Sequence, residues 1–157
     1  MSLVGNTDAD WAGDSNDRKS TSGGCFYMGM NLVAWLSKKQ NSISLSTTEA
    51  EYIAIGSYCT QLLWMKQMLI DYGVIQDSMT IFCDNTSAIN ISKNLVQHSR
   101  TKHIDIRHHF IRDLVENKIV TLKHVSTENQ LADLFTKPLD RVRFEFLRKS
   151  VRIFSML

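Results

Sequence analysis

Between Ile55 and Tyr72 the large apolar residues return every three or four positions, at Ile55, Tyr58, Leu62, Met65, Leu69 and Tyr72, the spacing of a helix with one buried face. The helix is expected over about 47–72, closed by Gly73 in the backbone conformation that ends many helices. Upstream, residues 3–9 read as a strand, and 25–30 with 32–36 as a hairpin turning near Gly29, the third strand resuming at 43–45 after a polar break. Residues 14–24, rich in Ser, Gly, Asp and Asn, read as a polar loop. Downstream, 79–83 is a short apolar strand, and Asn85 and Thr86 can cap a helix holding Ala88, Ile89 and Ile91. Residues 101–117 form a further helix, and 119–125 alternate as a strand. Ser126 or Thr127 caps a last core helix with Leu131, Leu134 and Phe135, and Pro138 follows its end. Residues 139–154 read as a basic amphipathic helix with Leu139, Val142, Phe146, Leu147, Val151 and Phe154 along one side. Three strands followed by alternating helices and strands predict an α/β fold, a mixed sheet with helices packed on it.

The long helix starts with two glutamates, Glu49 and Glu51. Two residues apart means about 200° around the axis, so they point in different directions. Glu49 has a structural role available, because Ser46-Thr47-Thr48-Glu49 fits a capping box in which Glu49 reaches back to the Ser46 amide. Glu51 lies one turn before Ile55, on the buried stripe. A carboxylate there is costly unless it meets a cation or a basic partner.

Composition narrows the setting. A chain of 157 residues, 43% hydrophobic, with one proline and no internal repeat, suits one domain with one core. No apolar run is long enough for a membrane span, and the first residues lack the pattern of a signal peptide. Cys25, Cys59 and Cys83 are widely spaced and odd in number, which fits buried thiols in a reducing, intracellular setting. The net charge of +2 is unevenly spread. Residues 1–84 hold 5 Lys/Arg against 9 Asp/Glu, and residues 85–157 hold 13 against 7. Such a split suits a polyanionic partner held near a carboxylate site bridged by cations, or simply scattered solvated charge.

Other acids fall where ligands gather in α/β sheets, at the carboxyl ends of strands. The first strand runs into Asp8 and Asp10, the strand 79–83 ends at Asp84, and Asp133 lies in the last core helix. Taken singly, Asp8 suits a strand end, Asp84 an N-cap and Asp133 a solvated helix. Together with Glu51 they can converge on one point. Like charges at about 4 Å repel by about 4 kcal/mol per pair at an effective dielectric near 20, so the cluster would need hard divalent cations. Magnesium fits such ligands, and two ions can activate a water and stabilise a leaving oxygen of a phosphodiester.

The runs TDADWAGD, RKSTSGG, AWLSKKQ, SLSTTEAEY, CDNTSAI, RTKHIDIRHHFIRD and ENQLADLFTKPL resemble the ribonuclease H domain of the Pol polyprotein of copia-type LTR retrotransposons, especially those of plants. The resemblance covers nearly the whole chain. It implies the ribonuclease H-like fold, a five-stranded mixed sheet flanked by helices, with residues 1–138 as the domain and 139–157 as a helix packed on it. It also implies hydrolysis of the RNA strand of RNA–DNA hybrids with two Mg2+ ions, Mn2+ being a substitute. Carried over by motif, the catalytic and metal-binding carboxylates are Asp8 in TDAD, Glu51 in EAEY, Asp84 in CDN and Asp133 in LAD. Asp10 stands beside them where other ribonucleases H often carry a small polar residue. His124 in KHVSTENQ resembles the histidine thought to shuttle a proton or help product leave. Asn85 and Ser87 are expected to touch the hybrid near the metals. The implied partners are the hybrid and the reverse transcriptase part of the same polyprotein, with no membrane and the oligomeric state left open. The implied location is a cytoplasmic virus-like particle or the nucleus. Asn6 departs from the family, which usually has an aromatic residue before this TDAD motif.

The histidines His98, His103, His108 and His109 have no cysteine nearby, and His103 and His108, five apart on the expected helix, lie about 140° off a common face. With Arg100, Lys102, Arg107 and Arg112 they suit a basic surface for phosphates, or a plain solvated helix. Trp11, Trp35 and Trp64 are expected in the core. The competing functional reading is a host-adopted module that binds nucleic acid or protein without cutting, against which the intact carboxylates argue. Glu128 and Glu145 fit no integrase or resolvase pattern.

Overall fold

The computed structural model of the chain describes residues 2–74, 77–93 and 102–152, with 102–108 described in their backbone only. Five strands, β1 (Leu3–Asp10), β2 (Thr21–Met28), β3 (Asn31–Lys39), β4 (Met79–Cys83) and β5 (Val120–His124), make one sheet in the order β3-β2-β1-β4-β5. The pairs β1–β2 and β2–β3 are antiparallel, and β1–β4 and β4–β5 are parallel. The sheet is therefore mixed, with β1 at its centre. Helices α1 (Thr47–Asp71), α2 (Thr86–Lys93), α3 (Lys102–Glu116) and α4 (Arg141–Ser150) flank it. This is the α/β, five-stranded architecture expected. Among the described residues, no helix is long and apolar enough to cross a membrane.

The apolar stripe of α1 builds the core. Tyr52, Ile55, Tyr58, Cys59 and Leu62 meet Leu3, Phe26, Met79, Ile81 and Leu122 of the sheet and Ile111 of α3. The Phe26 and Tyr58 rings stack with centroids 4.7 Å apart. Past Leu62 the stripe loosens, and Tyr72 is exposed. The helix stops where Gly73 takes a φ of +76°, a conformation that costs a residue with a Cβ but not glycine.

Two adjacent glycines of β2 let both layers close on the sheet. A Cβ on Gly24 would overlap the Asn6 carbonyl and the Tyr58 ring, and one on Gly23 would overlap the Thr136 methyl and lie 2.8 Å from the Phe135 carbonyl oxygen. Successive strand residues face opposite sides, so α1 presses on one face and residues 135–136 on the other. Gly23 is also the ladder partner of Asp8, which puts this thin place beside a candidate site residue.

Several local expectations change. The β2 strand begins at Thr21, not at residue 25, because Thr21–Gly24 pair with Asp10–Thr7 of β1 despite their loop-like composition. Residues 43–45 are not strand, and Ile43 and Leu45 are exposed. There the chain is turned by Gln40, which is buried and donates to Ser22 Oγ and to the Ala50 carbonyl, both at 2.9 Å. In the cap of α1, Ser46 accepts from the Glu49 amide at 3.1 Å, while Glu49 accepts from Leu45, one residue before the cap. The expected last core helix is instead two 3-10 turns, Thr127–Asn129 and Leu131–Phe135. They bury Ala132 and Asp133 and leave Leu131, Leu134 and Phe135 half-buried. On α4 the buried residues are Leu147 and the following Val151, whereas Val142 and Phe146 are exposed. The face is turned by Arg143, whose guanidinium donates to the carbonyls of Glu128 and Thr127. Phe154 lies outside the described residues. Trp11, Trp35 and Trp64 are exposed; Trp35 stacks on Phe135 at the surface, with centroids 5.4 Å apart.

The polar Asn6 is accommodated by Gln130, which is fully buried. Gln130 Nε2 donates to the Thr7 carbonyl at 2.8 Å, and its Oε1 accepts from the Ala132 amide at 3.2 Å and from Asn6 Nδ2 at 3.4 Å. This side chain ties the 3-10 segment to β1 next to Asp8. Gln130→Ala is expected to destabilise the protein by about 2–4 kcal/mol, because it strands buried polar groups and leaves a void. Urea unfolding checks this, and a loss below about 0.5 kcal/mol would contradict it.

Candidate active site

Parallel pairing sets the geometry of the acids. Asn6 of β1 lies opposite Phe82 of β4, and two residues further along each chain stand Asp8 and Asp84. Both carboxylates therefore emerge at the same end of the two central parallel strands, where open α/β sheets present ligand sites. Glu51 comes from the second turn of α1, and its Oε1 accepts the Ala9 amide at 3.2 Å. Asp133 comes from the 3-10 segment that Gln130 fixes to β1. Oxygens of Asp8, Asp84 and Asp133 lie within 4.8 Å of one another, and a second group joins Glu51, Cys83 and Asp84. All four expected carboxylates meet in one place.

The cluster opens into a concavity of about 410 Å³ lined by Asp8, Asp10, Trp11, Glu51, Asp84 and Lys137, among others. Asp10 lies at its rim, and Trp11 is pinned there by donating its indole N–H to the Ser44 carbonyl at 3.0 Å. Asn85 also lines it, and its Oδ1 accepts from the Ala88 amide at 2.9 Å, capping α2. Ser87 is exposed in the first turn of α2. His124 is exposed at the end of β5 and lines a different concavity, with Ile89, Asn90 and Lys93. Arg100 and His98 lie outside the described residues. Lys102 and Arg107 fall in the stretch 102–108 of α3, where only the backbone is described.

Three residues that the sequence did not single out hold the acids. Thr136 donates its hydroxyl to Asp8 Oδ2 at 2.5 Å. Lys137 Nζ lies 3.4 Å from Asp8 Oδ2 and 3.1 Å from Asp133 Oδ1. Arg143 approaches Asp133 Oδ2 at 3.5 Å. The TKPL run that ends the last motif contains the first two, but neither residue type signals a carboxylate partner until the 3-10 turn bends it back.

Electrostatics follow from burial. Removal from water raises Asp8 from its ordinary 3.8 to about 6, against the lowering effects of Lys137 and of the Thr136 hydroxyl. Burial first, and then the Asp8 and Asp84 charges, push Glu51 far above the usual carboxylate range. Asp84 is raised too, mainly by burial, with Lys137 opposing the shift. Burial works against the Lys137 charge, but Asp8 and Asp133 outweigh it and hold the ammonium protonated. Cys83 Sγ lies 3.9 Å from Glu51 Oε2, and burial, followed by the Glu51 charge, keeps its thiol neutral.

This donor set suits a hard divalent cation. An octahedral magnesium with ligands at about 2.1 Å places neighbouring oxygens roughly 3 Å apart and opposite ones about 4.2 Å, and the Asp8, Asp84 and Asp133 oxygens all lie within 4.8 Å of one another. A cationic group, the Lys137 ammonium, already lies against two of them. The Asp8, Asp84 and Asp133 group offers oxygen ligands alone, which favours oxygen-preferring ions.

Comparisons with known proteins give the chain's relatives and its fold neighbours. No protein-family model matches the chain. It is 42% identical over 153 residues to the "Retrovirus-related Pol polyprotein from transposon TNT 1-94" of Nicotiana tabacum, covering 98% of this chain and 12% of that protein. It is 40% identical over 157 residues to the corresponding polyprotein from transposon RE2 of Arabidopsis thaliana, covering 99% and 11%. The chain thus spans about a tenth of the length of these relatives. Among solved structures it is similar to LC11-RNase H1, isolated from compost by a metagenomic approach, with a TM-score of 0.63 at 15% identity over 86% of this chain and 92% of that one. The structure of LC11-RNase H1 in complex with an RNA/DNA hybrid matches with a TM-score of 0.58, at 15% identity over 85% and 93%.

The raised carboxylates predict a stability profile. Because the folded pKa of Asp8 exceeds its unfolded value, its contribution is fully present below about pH 4 and is lost as pH rises through about 6, a loss of at most about 3 kcal/mol. Glu51 shifts the same way, so its contribution also falls as pH rises. Metal-free protein should be less stable at pH 8 than at pH 5, and Glu51→Gln, which keeps an acceptor for Ala9, should remove part of the slope. Urea unfolding across this range measures it, and a flat wild-type profile would contradict the account.

Proposed function

Since the chain belongs with the Pol polyproteins of plant copia-type retrotransposons, as the homologue of a segment about a tenth of their length, and has the ribonuclease H-like fold, we propose that it is a metal-dependent endonuclease acting on RNA–DNA hybrids. It cuts the RNA strand, as reverse transcription of such an element requires. The observation that carries this reading is the convergence of Asp8, Glu51, Asp84 and Asp133 at the ends of the central parallel strands, open to a concavity. The hybrid-bound neighbour of the same fold supports the choice of substrate.

In this reading the four carboxylates hold two magnesium ions, with manganese as a substitute. Such ions, when bound, supply an activated water and stabilise the leaving oxygen. The rest is done by the chain. Thr136 orients Asp8, the Ala9 amide orients Glu51, and Arg143 ties Asp133 to the carbonyls of Thr127 and Glu128 in the first 3-10 turn. The neutral Cys83 thiol is a poor nucleophile, and the mechanism needs none from the protein. Asn85 and Ser87, at and just outside the rim, are placed to meet the sugar-phosphate backbone, through which hybrids are mostly recognised. His124 serves from the end of β5 to pass a proton or assist product departure, and the reverse transcriptase part of the polyprotein presents the hybrid. Residues 1–138 act as the catalytic unit, with the C-terminal helix packed on it through Arg143 and Leu147.

The test is cleavage of a labelled RNA–DNA hybrid with magnesium, with manganese and with chelator, beside Asp84→Asn. Metal-dependent cutting of the RNA strand is expected, and the variant should retain below about one hundredth of it, since it loses a ligand. Asp84 is the choice because the carboxamide keeps its shape and lightens the charge repulsion, so the fold is spared. Full activity in Asp84→Asn would sink the site assignment. A folded wild-type chain that binds the hybrid without cutting it would replace the nuclease with a binding module.

A further inference from the structure

The acidic cluster carries its own cation. Lys137 follows Asp133 by one turn, and its amide bonds back to the Asp133 carbonyl at 3.3 Å, so its root is tied to the segment that bears one of its partners. Its ammonium bridges Asp8 and Asp133, at 3.4 and 3.1 Å, while the side chain is 32% exposed at the wall of the concavity. Arg143, the other cation on Asp133, is held by the carbonyls of Glu128 and Thr127. The two differ in freedom. A planar guanidinium with several fixed bonds stays, whereas a compact ammonium on a four-carbon stem can swing away. Asp8 and Asp133 belong to the oxygen group suited to a divalent ion, and a positive charge 3 to 4 Å from their oxygens cannot share them with that ion without strong repulsion.

Resting on the metal site of the proposed function, we propose that Lys137 is a tethered counter-ion that competes with the divalent metal. In the metal-free protein it holds Asp8 and Asp133 together. When an ion binds, the ammonium leaves these oxygens and turns into the concavity. The position thereby sets the metal affinity below what the carboxylates alone would give.

Calorimetric titration of metal-stripped chain with Mn2+, for wild type, Lys137→Met and Lys137→Arg, tests the proposal. Lys137→Met keeps the stem and removes the charge, and it is expected to bind the first ion about tenfold more tightly; Lys137→Arg, which keeps the charge, is expected to gain no affinity, and a gain equal to that of Lys137→Met overturns the competition. Unchanged or weaker binding by Lys137→Met, while wild type binds, overturns the competition and leaves the metal site standing. No uptake by wild type overturns both. A second measurement uses wild type alone and is independent of how the variants fold. Acetylation of Lys137, followed by mass spectrometry, should speed up several-fold when Mg2+ is added. A rate that is unchanged or slower with metal bound overturns the displacement.

Discussion

Everything in this structure bends around the mutual repulsion of carboxylates that the chain insists on placing together. Asp8 and Asp84 are level because β1 and β4 run parallel in one register, and Glu51 and Asp133 arrive from layers that close on the sheet beside them. Each additional charge in the group costs several kcal/mol unless something offsets it. In the protein alone burial and this repulsion raise the proton affinity of Asp8 and Glu51, and the Lys137 ammonium lies against Asp8 and Asp133. Both devices are ones that a metal ion would replace. This arrangement is what the proposed cation site would require.

The surrounding packing makes that placement rigid. Gly23 and Gly24 thin the sheet where α1 and residues 135–136 approach from opposite faces, and Gly23 pairs with Asp8 itself. Gln130 anchors the 3-10 segment through Thr7 and Asn6, one and two residues before Asp8. Ser46 and Gln40 fix the start of α1, and hence Glu51, against β2. These contacts fix carboxylates from three separate stretches of chain, as the proposed metal site would need from its protein.

Much of this was legible in the sequence, for identifiable reasons. The long helix and the two short parallel strands announce themselves by periodicity and capping, and Glu51 was separable from Glu49 by helical rotation alone. The Asp84 position followed from the rule that sites gather at strand ends. What stayed hidden depends on contacts between distant segments. Thr21–Gly24 look like a loop but gain strand structure from β1, and the segment around Asp133 looks like a helix but is made of 3-10 turns held by Gln130 and Arg143. Trp35 looks like core and instead stacks on Phe135 at the surface. Lys137 and Thr136 sit in a motif that marks the family, yet their bonds to Asp8 span more than a hundred residues and have no local signature. The buried Asn6 makes sense only once Gln130 is seen against it.

On the proposed reading, these acids form a cation site in which Lys137 stands in for the metal. Crystals of the chain grown with Mn2+ would test it most directly, through anomalous scattering from the ion. The account predicts a peak among the oxygens of Asp8, Asp84 and Asp133, with the Lys137 ammonium withdrawn from Asp8 and Asp133. A map with no peak there, and Lys137 still bridging the two aspartates at saturating metal, would contradict it.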